Sequence, residues 1–125
     1  MQSKFLPRLA LTRIFIKKWL EAEERHSSAP LLDLFEGSAD FLIWSGIPSI
    51  ASIGSFEEYW QMRHYQVARV TSQFHRIHEG EDFSALECRS VGALKSGSEI
   101  SRAECIILEM NHEKSKITRM ASYGT

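Results

Sequence analysis

The sequence of 125 residues predicts one α+β domain over residues 1–125, in which a single curved, mostly antiparallel sheet covers three N-terminal helices. Three observations predict this fold. Apolar residues in the first half of the chain recur at three and four positions, as on one face of a helix. After Val67 the apolar period changes to two, which is typical of strands. The helical and strand patterns are segregated along the chain instead of alternating, as in α+β proteins.

The first half of the chain is predicted to hold three helices. The first covers Arg8–Arg25, because its apolar side chains recur at helical spacing. A polar break precedes a short helix over Leu31–Glu36, which we expect to end at Gly37, a good left-handed cap residue. The third helix is expected over Ser55–Val67, because its first residue and Glu58 three positions later form a capping box.

Five strands are predicted, and the last four should form a meander. The first strand is the apolar run Asp40–Trp44, which a loop over Ser45–Gly54 follows. The other strands are expected at Arg69–Glu79, Phe83–Leu94, Glu99–Asn111 and Lys116–Tyr123. Since the turns that connect these four strands are short, consecutive strands should be antiparallel neighbours.

Composition and charge argue against several classes of protein. Fifteen Lys and Arg against sixteen Asp and Glu give a net charge of -1, which does not favour binding to nucleic acid or to an anionic membrane. No stretch approaches the ~20 apolar residues of a membrane helix. Cys88 and Cys105 are too few for a disulfide framework, so we expect a reduced, cytoplasmic protein. The stretch up to Leu20 carries basic residues and no acidic ones. We interpret these basic residues as the solvent-exposed face of the first helix, not as a transit peptide.

The histidines and glycines show no metal or cofactor motif. The five histidines are His26, His64, His75, His78 and His112. They have neither His-x-His nor His-Glu-x-x-His spacing, so no metal is predicted. Phosphate-cradling glycine loops are also absent, so no cofactor is predicted. His64 is the histidine with a candidate role, because it follows Tyr59 and Trp60 at helical spacing; the alternative is an ordinary imidazole on the helix surface or in the core.

Three short motifs, in their order and spacing, resemble the nuclear-transport-factor-2-like superfamily, which includes SnoaL-like and ketosteroid-isomerase-like proteins. The motifs are Leu32–Phe35 closely followed by Ala39–Phe41, then Gly54–Trp60, and then Ser115–Met120. The resemblance extends from about Arg13 to Tyr123. It implies a cone-shaped sheet with an apolar pocket open at one end, and often a homodimer. The superfamily holds isomerases, dehydratases, cyclases and hydrolases as well as non-catalytic carriers, so the fold alone does not define a function.

The catalytic residues of that superfamily have poor counterparts in this chain. The general-base aspartate of the isomerase branch corresponds to Ser45 or Trp44. The phenol on its first helix corresponds to Trp19, which has no hydroxyl, and the carboxylic acid of its strand corresponds to Ile106. These departures argue against steroid-type isomerisation.

The resemblance places the candidate site on the concave face of the sheet. It favours as the pocket-facing set Glu87, Arg89, Glu104, Ile106 and Leu108. Glu87 or Glu104 would then be the proton shuttle, with His64 assisting. Arg89 would anchor an anionic or carbonyl group. The alternative is that these acids, together with Arg89 and Arg102, form cross-strand ion pairs on a solvated or dimer-facing surface.

The aromatic residues complete the predicted site and leave two functions open. Trp19, Trp44, Tyr59 and Trp60 are expected to line the pocket, where they would suit a flat apolar ligand; the alternative is an ordinary core. The first function is metal-independent lyase or isomerase chemistry on a small apolar or carbonyl-containing molecule. The second is a non-catalytic homodimerisation or ligand-carrier module. A lone buried carboxylate would favour the enzyme, and a closed Glu–Arg network would favour the module.

Overall fold

The computed structural model describes residues 7–44 and 50–124. The helical elements are α1 (Ala10–Arg25), a 3₁₀ helix (Ala29–Leu34) and α2 (Phe56–Arg63). The strands are β1 (Phe35–Trp44), β2 (Ile50–Ile53), β3 (Val67–Glu79), β4 (Phe83–Leu94), β5 (Glu99–Met110) and β6 (Ile117–Gly124). They form one sheet in the order β2-β1-β6-β5-β4-β3 that curves around the helices. The predicted α+β fold is confirmed.

The four long strands form the predicted meander. β3, β4 and β5 each pair antiparallel with the strand that follows, and β4 has the predicted bounds. The turn after β4 is closed by the backbone N–H of Leu94, which donates to the carbonyl of Ser98 at 2.8 Å. Gly97 in this turn has a φ of 98°, a conformation that side chains with a Cβ rarely adopt. The one parallel contact of the described sheet joins β1 to β6.

The segment before β1 differs from its prediction. The short helix is a 3₁₀ helix that ends at Leu34, and Gly37 lies inside β1 instead of capping a helix. The reason is strand pairing, because Phe35 already has a partner in Ile117 of β6. β1 therefore begins before the predicted Asp40.

The predicted loop and the end of the third helix also differ. The loop expected over Ser45–Gly54 contains β2, which pairs antiparallel with the end of β1. Residues 45–49 of the expected loop lie outside the described residues. The helix α2 ends at Arg63, before the predicted Val67. Gln66 has a φ of 61°, which is incompatible with a continuing helix, and β3 begins directly after it.

The core lies between the helices and the inner face of the sheet, and Trp19 of α1 is at its centre. The ring of Trp19 has its centroid within 6.5 Å of those of Phe15, Phe56, Tyr59, Trp60 and Phe74. Below these rings the sheet contributes the fully buried side chains Leu86, Ile106, Leu108 and Met120. Burial of each such side chain contributes roughly 1.5–3 kcal/mol, so these contacts dominate the packing of helices on sheet.

The register of β4 and β5 determines which side chains point inward. Cys88 pairs with Glu104, and Leu86 pairs with Ile106, so even-numbered residues of both strands share the inner face. The turn determines this parity. Residues 95–97 lie between the hydrogen-bonded pair Leu94 and Ser98, and an odd number of turn residues pairs positions of equal parity. Glu104 therefore points into the core.

Glu87 and Arg89 lie on the outer face. They pair with Cys105 and Ala103, which are odd-numbered like themselves. The expectation that Glu87 and Arg89 share the concave face with Glu104 is therefore wrong, whereas Ile106 and Leu108 do lie on that face.

The helices and the two cysteines bear on the membrane and redox predictions. None of the helices in residues 7–44 and 50–124 is long and apolar enough to cross a membrane. Cys88 is buried, Cys105 is half-buried, and both thiols are free. The cytoplasmic setting inferred from these cysteines stays a prediction.

Gly92 in β4 lies where the backbone of β3 approaches closely. A Cβ at this position would lie 2.1 Å from the carbonyl oxygen of Arg69 and 2.8 Å from the Cα of Val70. Gly92→Ala should therefore shift backbone and lower the free energy of unfolding by about 1–3 kcal/mol, measured by urea denaturation. The control is Gly37→Ala in β1, where a Cβ meets no atom within 4 Å; it should be neutral or stabilising by about 0.5–1 kcal/mol. Equal stability of the two variants would contradict this assignment.

Candidate functional site

A cavity of about 300 Å³ opens where the last turn of α2 meets β1, β5 and β6, and we call it the mouth cavity. Its apolar walls come from Ile43, Trp44 and Met62. Its polar lining comes from Tyr59, Arg63, Arg102, Glu104 and Ser122. A mostly apolar wall with a few convergent polar groups is the usual composition of a small-molecule site.

Glu104 is paired with Arg63 at the floor of this cavity. Arg63 Nε and Nη2 both donate to Glu104 Oε1, at 3.0 and 2.5 Å. Ser122 Oγ donates to the other carboxylate oxygen, Oε2, at 3.2 Å. The two charged side chains are 3% and 7% exposed. Both oxygens of Glu104 are therefore engaged in a buried, charge-assisted network.

Arg63 also faces a second carboxylate, Glu23 of α1. Arg63 Nη1 lies 3.6 Å from Glu23 Oε2, and Arg63 Nη2 donates to Ser90 Oγ at 2.8 Å. Glu23 further accepts hydrogen bonds from the backbone N–H of Ser72 at 2.9 Å and from Trp19 Nε1 at 3.0 Å. Burial by itself lowers the pKa of Arg63, but the two carboxylates outweigh it and raise that pKa above its usual value. One guanidinium thus lies against carboxylates of two different elements.

Helical spacing places these two charged residues in the core. Arg63 follows Tyr59 and Trp60 by one turn on the buried face of α2, and Glu23 follows Trp19 by one turn on α1. Each charged group therefore lies at the end of an apolar stripe, where it faces the sheet.

Tyr59 extends the network on the cavity side. Its hydroxyl donates to Ser122 Oγ at 3.4 Å, and Ser122 in turn donates to Glu104. Burial, reinforced by the negative charge of Glu104, raises the pKa of Tyr59. The phenol stays protonated and acts as a hydrogen-bond donor.

His64 has both ring nitrogens occupied. Its Nδ1 lies 2.9 Å from the carbonyl of Trp60, and its Nε2 lies 3.2 Å from Arg63 Nη1. Because a guanidinium only donates, Nε2 must accept and Nδ1 must carry the proton. Burial, together with the neighbouring charges of Arg63 and Arg102, lowers the pKa of His64 to about 4. The imidazole is neutral at pH 7, and its one acceptor nitrogen is already used.

Arg102 is the second guanidinium of the mouth cavity. Its Nη2 donates to the carbonyl of Arg63 at 3.3 Å, and its Nε is buried without a hydrogen-bond partner. Burial and the positive charge of Arg63 lower the pKa of Arg102. Within the described ranges its side chain forms no ion pair with a carboxylate.

The structure brings together only part of the predicted site. Glu104, Tyr59 and Trp44 all line the mouth cavity. Trp19 is instead fully buried at the centre of the core, and Ile106 and Leu108 are fully buried beneath it. The expectation that these three side chains line an open pocket is not met, because the aromatic rings of the helices fill the space above the sheet.

Two further predicted residues lie at a different cavity. The rings of Trp60 and His64 pack against each other at a tilt, with their centroids 4.1 Å apart. They line a space of about 320 Å³ with Val67 and Val70, separate from the mouth cavity. His64 therefore does not point at the same space as Glu104.

The predicted residues Glu87 and Arg89 lie in a shallow groove of about 650 Å³ on the outer face, the outer groove. Glu87 Oε2 lies 3.1 Å from His78 Nε2, and Arg89 donates to Ser101 at 3.1 Å. Trp44 also lines this groove. The alternative expectation was that these charged residues lie on a solvated surface. Glu87 and Arg89 agree with it, whereas Glu104 is buried and does not.

Sequence reasoning did not select Glu23 or Arg63 as site residues, although signals for both were present. Each charged side chain occupies a position on the buried stripe of its helix. A further signal is the set of serines at inward positions of the strands, Ser72, Ser90 and Ser122, all at most 5% exposed. Hydroxyl groups on an otherwise apolar face indicate a buried polar group that needs partners. In the described part of the chain, no three or more His, Cys, Asp or Glu residues are arranged to hold a metal ion.

No family model matches the sequence, and no curated protein matches it. Solved structures match it by shape. A nuclear-transport-factor-2-like protein from Anabaena variabilis has a TM-score of 0.74 and 13% identity, over 94% of this chain and 88% of that one. A candidate SnoaL-like polyketide cyclase from Jannaschia has a TM-score of 0.70 and 8% identity, over 95% and 88%. AusH from Aspergillus nidulans has a TM-score of 0.75 and 12% identity, over 95% and 86%.

The chain thus has the nuclear-transport-factor-2-like fold, which SnoaL-like and ketosteroid-isomerase-like proteins share. The resemblance inferred from the three sequence motifs is confirmed at the level of the fold. At 8% to 13% identity the similarity carries no reaction from these proteins to this chain.

His64 should make the stability of the protein depend on pH. Its pKa is about 4 in the folded chain against an ordinary 6.5, so between these values the unfolded chain binds a proton that the folded chain does not. The stability that neutral His64 provides is complete above pH 6.5 and is lost as the pH falls toward 4. In His64→Gln, the loss of unfolding free energy between about pH 7 and about pH 5 should be smaller than in the wild type, measured by urea denaturation.

The matched control for this prediction is His112→Gln, which changes an exposed histidine between β5 and β6. It should retain the pH dependence of the wild type. A pH dependence in His64→Gln that equals the wild-type one would refute the assignment to His64.

Proposed function

We propose that this protein is a small-molecule-binding module whose ligand occupies the mouth cavity, and that Glu104 serves the structure of this cavity instead of acid–base catalysis. The observation that carries the proposal is the closed Arg63–Glu104 pair. A general base needs a lone pair within hydrogen-bond reach of the substrate proton. Glu104 accepts two hydrogen bonds from Arg63 at one oxygen and one from Ser122 at the other, so three of its roughly four acceptor sites are used within the protein.

The shape of the interior supports binding at the mouth. Trp19 and Trp60 are 0% and 5% exposed, and their rings fill the space deeper in the cone. The remaining volume of about 300 Å³ is at the lower end of the range for ligand sites. Ile43 and Met62 give this space apolar walls. It therefore suits a small apolar or carbonyl-containing molecule.

We also propose that two copies of the chain pair through the outer face of the sheet. Trp44 and Tyr123 lie side by side on this face, with ring centroids 5.4 Å apart, and Trp44 is 38% exposed. Aromatic side chains are enriched in interfaces. Glu87 and Arg89 have opposite charges two positions apart on the same strand. A two-fold axis near them can set the acid of one copy against the base of the other.

Binding at the mouth cavity can be tested by blocking it. Met62 is 53% exposed at the rim, so Met62→Trp should fold normally and narrow the opening. Small carbonyl compounds should shift the amide resonances of Ile43 and Ser122 in the wild type, and Met62→Trp should weaken their binding at least tenfold. The control is Gln61→Trp on the same helix, which lines the cavity of Trp60 and His64. Weaker binding in the control alone would place the ligand in that other cavity.

Catalysis is tested in the same experiment. If a bound compound is converted and Glu104→Gln abolishes the conversion while preserving binding, Glu104 is a catalytic residue and the binding-module proposal fails. We expect no conversion by the wild-type protein.

Pairing of two copies can be tested by exchanging charges. Arg89→Glu places two acids next to each other on the outer face, and it should raise the dissociation constant of a dimer at least tenfold, measured by sedimentation equilibrium. The double exchange Glu87→Arg with Arg89→Glu should restore the wild-type constant. A wild-type chain that sediments as a 14.3 kDa monomer would exclude the pairing.

A further inference from the structure

We infer that the ligand of the mouth cavity carries a carboxylate group, which binds the guanidinium of Arg102. This inference rests on the proposed binding function and names the chemical class of its ligand. Arg102 lines the mouth cavity, and its Nε is buried without a hydrogen-bond partner. A guanidinium has five N–H donors, and the contact found for this side chain is the bond from Nη2 to the carbonyl of Arg63.

Glu104, the acid of the cavity lining, is already hydrogen-bonded to another arginine. Glu104 accepts two hydrogen bonds from Arg63 and one from Ser122. Arg63 also lies 3.6 Å from Glu23, so its charge is shared between two acids. Among the residues that the structure describes, Arg102 is thus the guanidinium of this cavity that has no acidic partner of its own. An anion supplied by a ligand would be its complement.

The form of the cavity favours a monocarboxylate with an apolar body. A carboxylate is planar and matches the fork of a guanidinium with two parallel hydrogen bonds. The apolar side chains Ile43, Trp44 and Met62 would cover the rest of such a molecule. A phosphate would bring more negative charge next to Glu104, which is unfavourable. We therefore expect a molecule about the size of benzoate.

The test compares carboxylates with their neutral amides on the full chain. The probes are benzoate, phenylacetate and cyclohexanecarboxylate, each with the corresponding amide of nearly the same shape. Each carboxylate should bind at least tenfold more tightly than its amide, measured by isothermal titration. The guanidinium N–H resonances of Arg102 should shift when a carboxylate binds, because the guanidinium gains an acceptor.

Variants of Arg102 assign the effect to this side chain. In Arg102→Gln the preference for the carboxylate should disappear, while Arg102→Lys should retain part of it, because the charge remains but the fork does not. Arg69→Gln, which changes an exposed arginine of β3 away from the mouth cavity, is the matched control and should bind like the wild type. If Arg102→Gln does not fold, the shift of the guanidinium N–H resonances and the Arg102→Lys variant still decide the question.

The outcomes separate this inference from the proposed function. If the amides bind at the mouth cavity as tightly as the carboxylates, the inference is wrong and the binding function stands. If the carboxylates bind equally well to Arg102→Gln, the assignment to Arg102 is wrong. If neither member of any pair shifts the resonances of the mouth cavity, the binding function itself fails, and the inference fails with it.

Discussion

The guanidinium of Arg63 is the group on which the interior of this protein depends. Arg63 is the last residue of α2, and its guanidinium lies between Glu23 of α1 and Glu104 of β5. A single positive charge therefore connects the two α-helices with the sheet. A charge is tolerated in a core only when it is paired and its remaining donors are bonded. Removal of one member of a buried pair typically costs about 3–5 kcal/mol. This constraint explains why Ser72 and Ser90 occupy an otherwise apolar face of the sheet.

The same constraint shapes what the cavity can do. The carboxylate of Glu104 binds a buried guanidinium through one oxygen and the hydroxyl of Ser122 through the other, so three of its roughly four acceptor sites are used within the protein. The aromatic cluster around Trp19 then occupies the deep part of the cone. Among the residues that the structure describes, Arg102 combines a place in the cavity lining with a guanidinium nitrogen that has no hydrogen-bond partner. These contacts are the basis of the proposed binding function.

The sequence predicted the local features well and the non-local ones poorly. The meander followed from the period of two and the short turns, and the bounds of β4 were correct. The predicted pocket-facing set was wrong for Glu87 and Arg89. Which side chains of β4 and β5 share a face depends on the number of residues in the turn that joins these strands. Gly97, a residue suited to a positive φ, was the signal for a turn of three residues there. The pairing of Arg63 with Glu104 joins positions 41 residues apart, which periodicity cannot reveal. β2 has only four residues, too few for a pattern.

The parallel contact between β1 and β6 has a consequence for how the protein is made. β6 lies between β1 and β5, so the hairpin of β1 and β2 has no place in the sheet until β6 is present. β6 is the last of the strands to leave the ribosome. Until then, Phe41 and Ile43 lack neighbours that they later gain in Met120 and Ser122. Contacts between residues so distant in sequence form slowly and leave apolar edges exposed to other chains. The hairpin of β1 and β2 therefore remains an unpaired edge until late in translation.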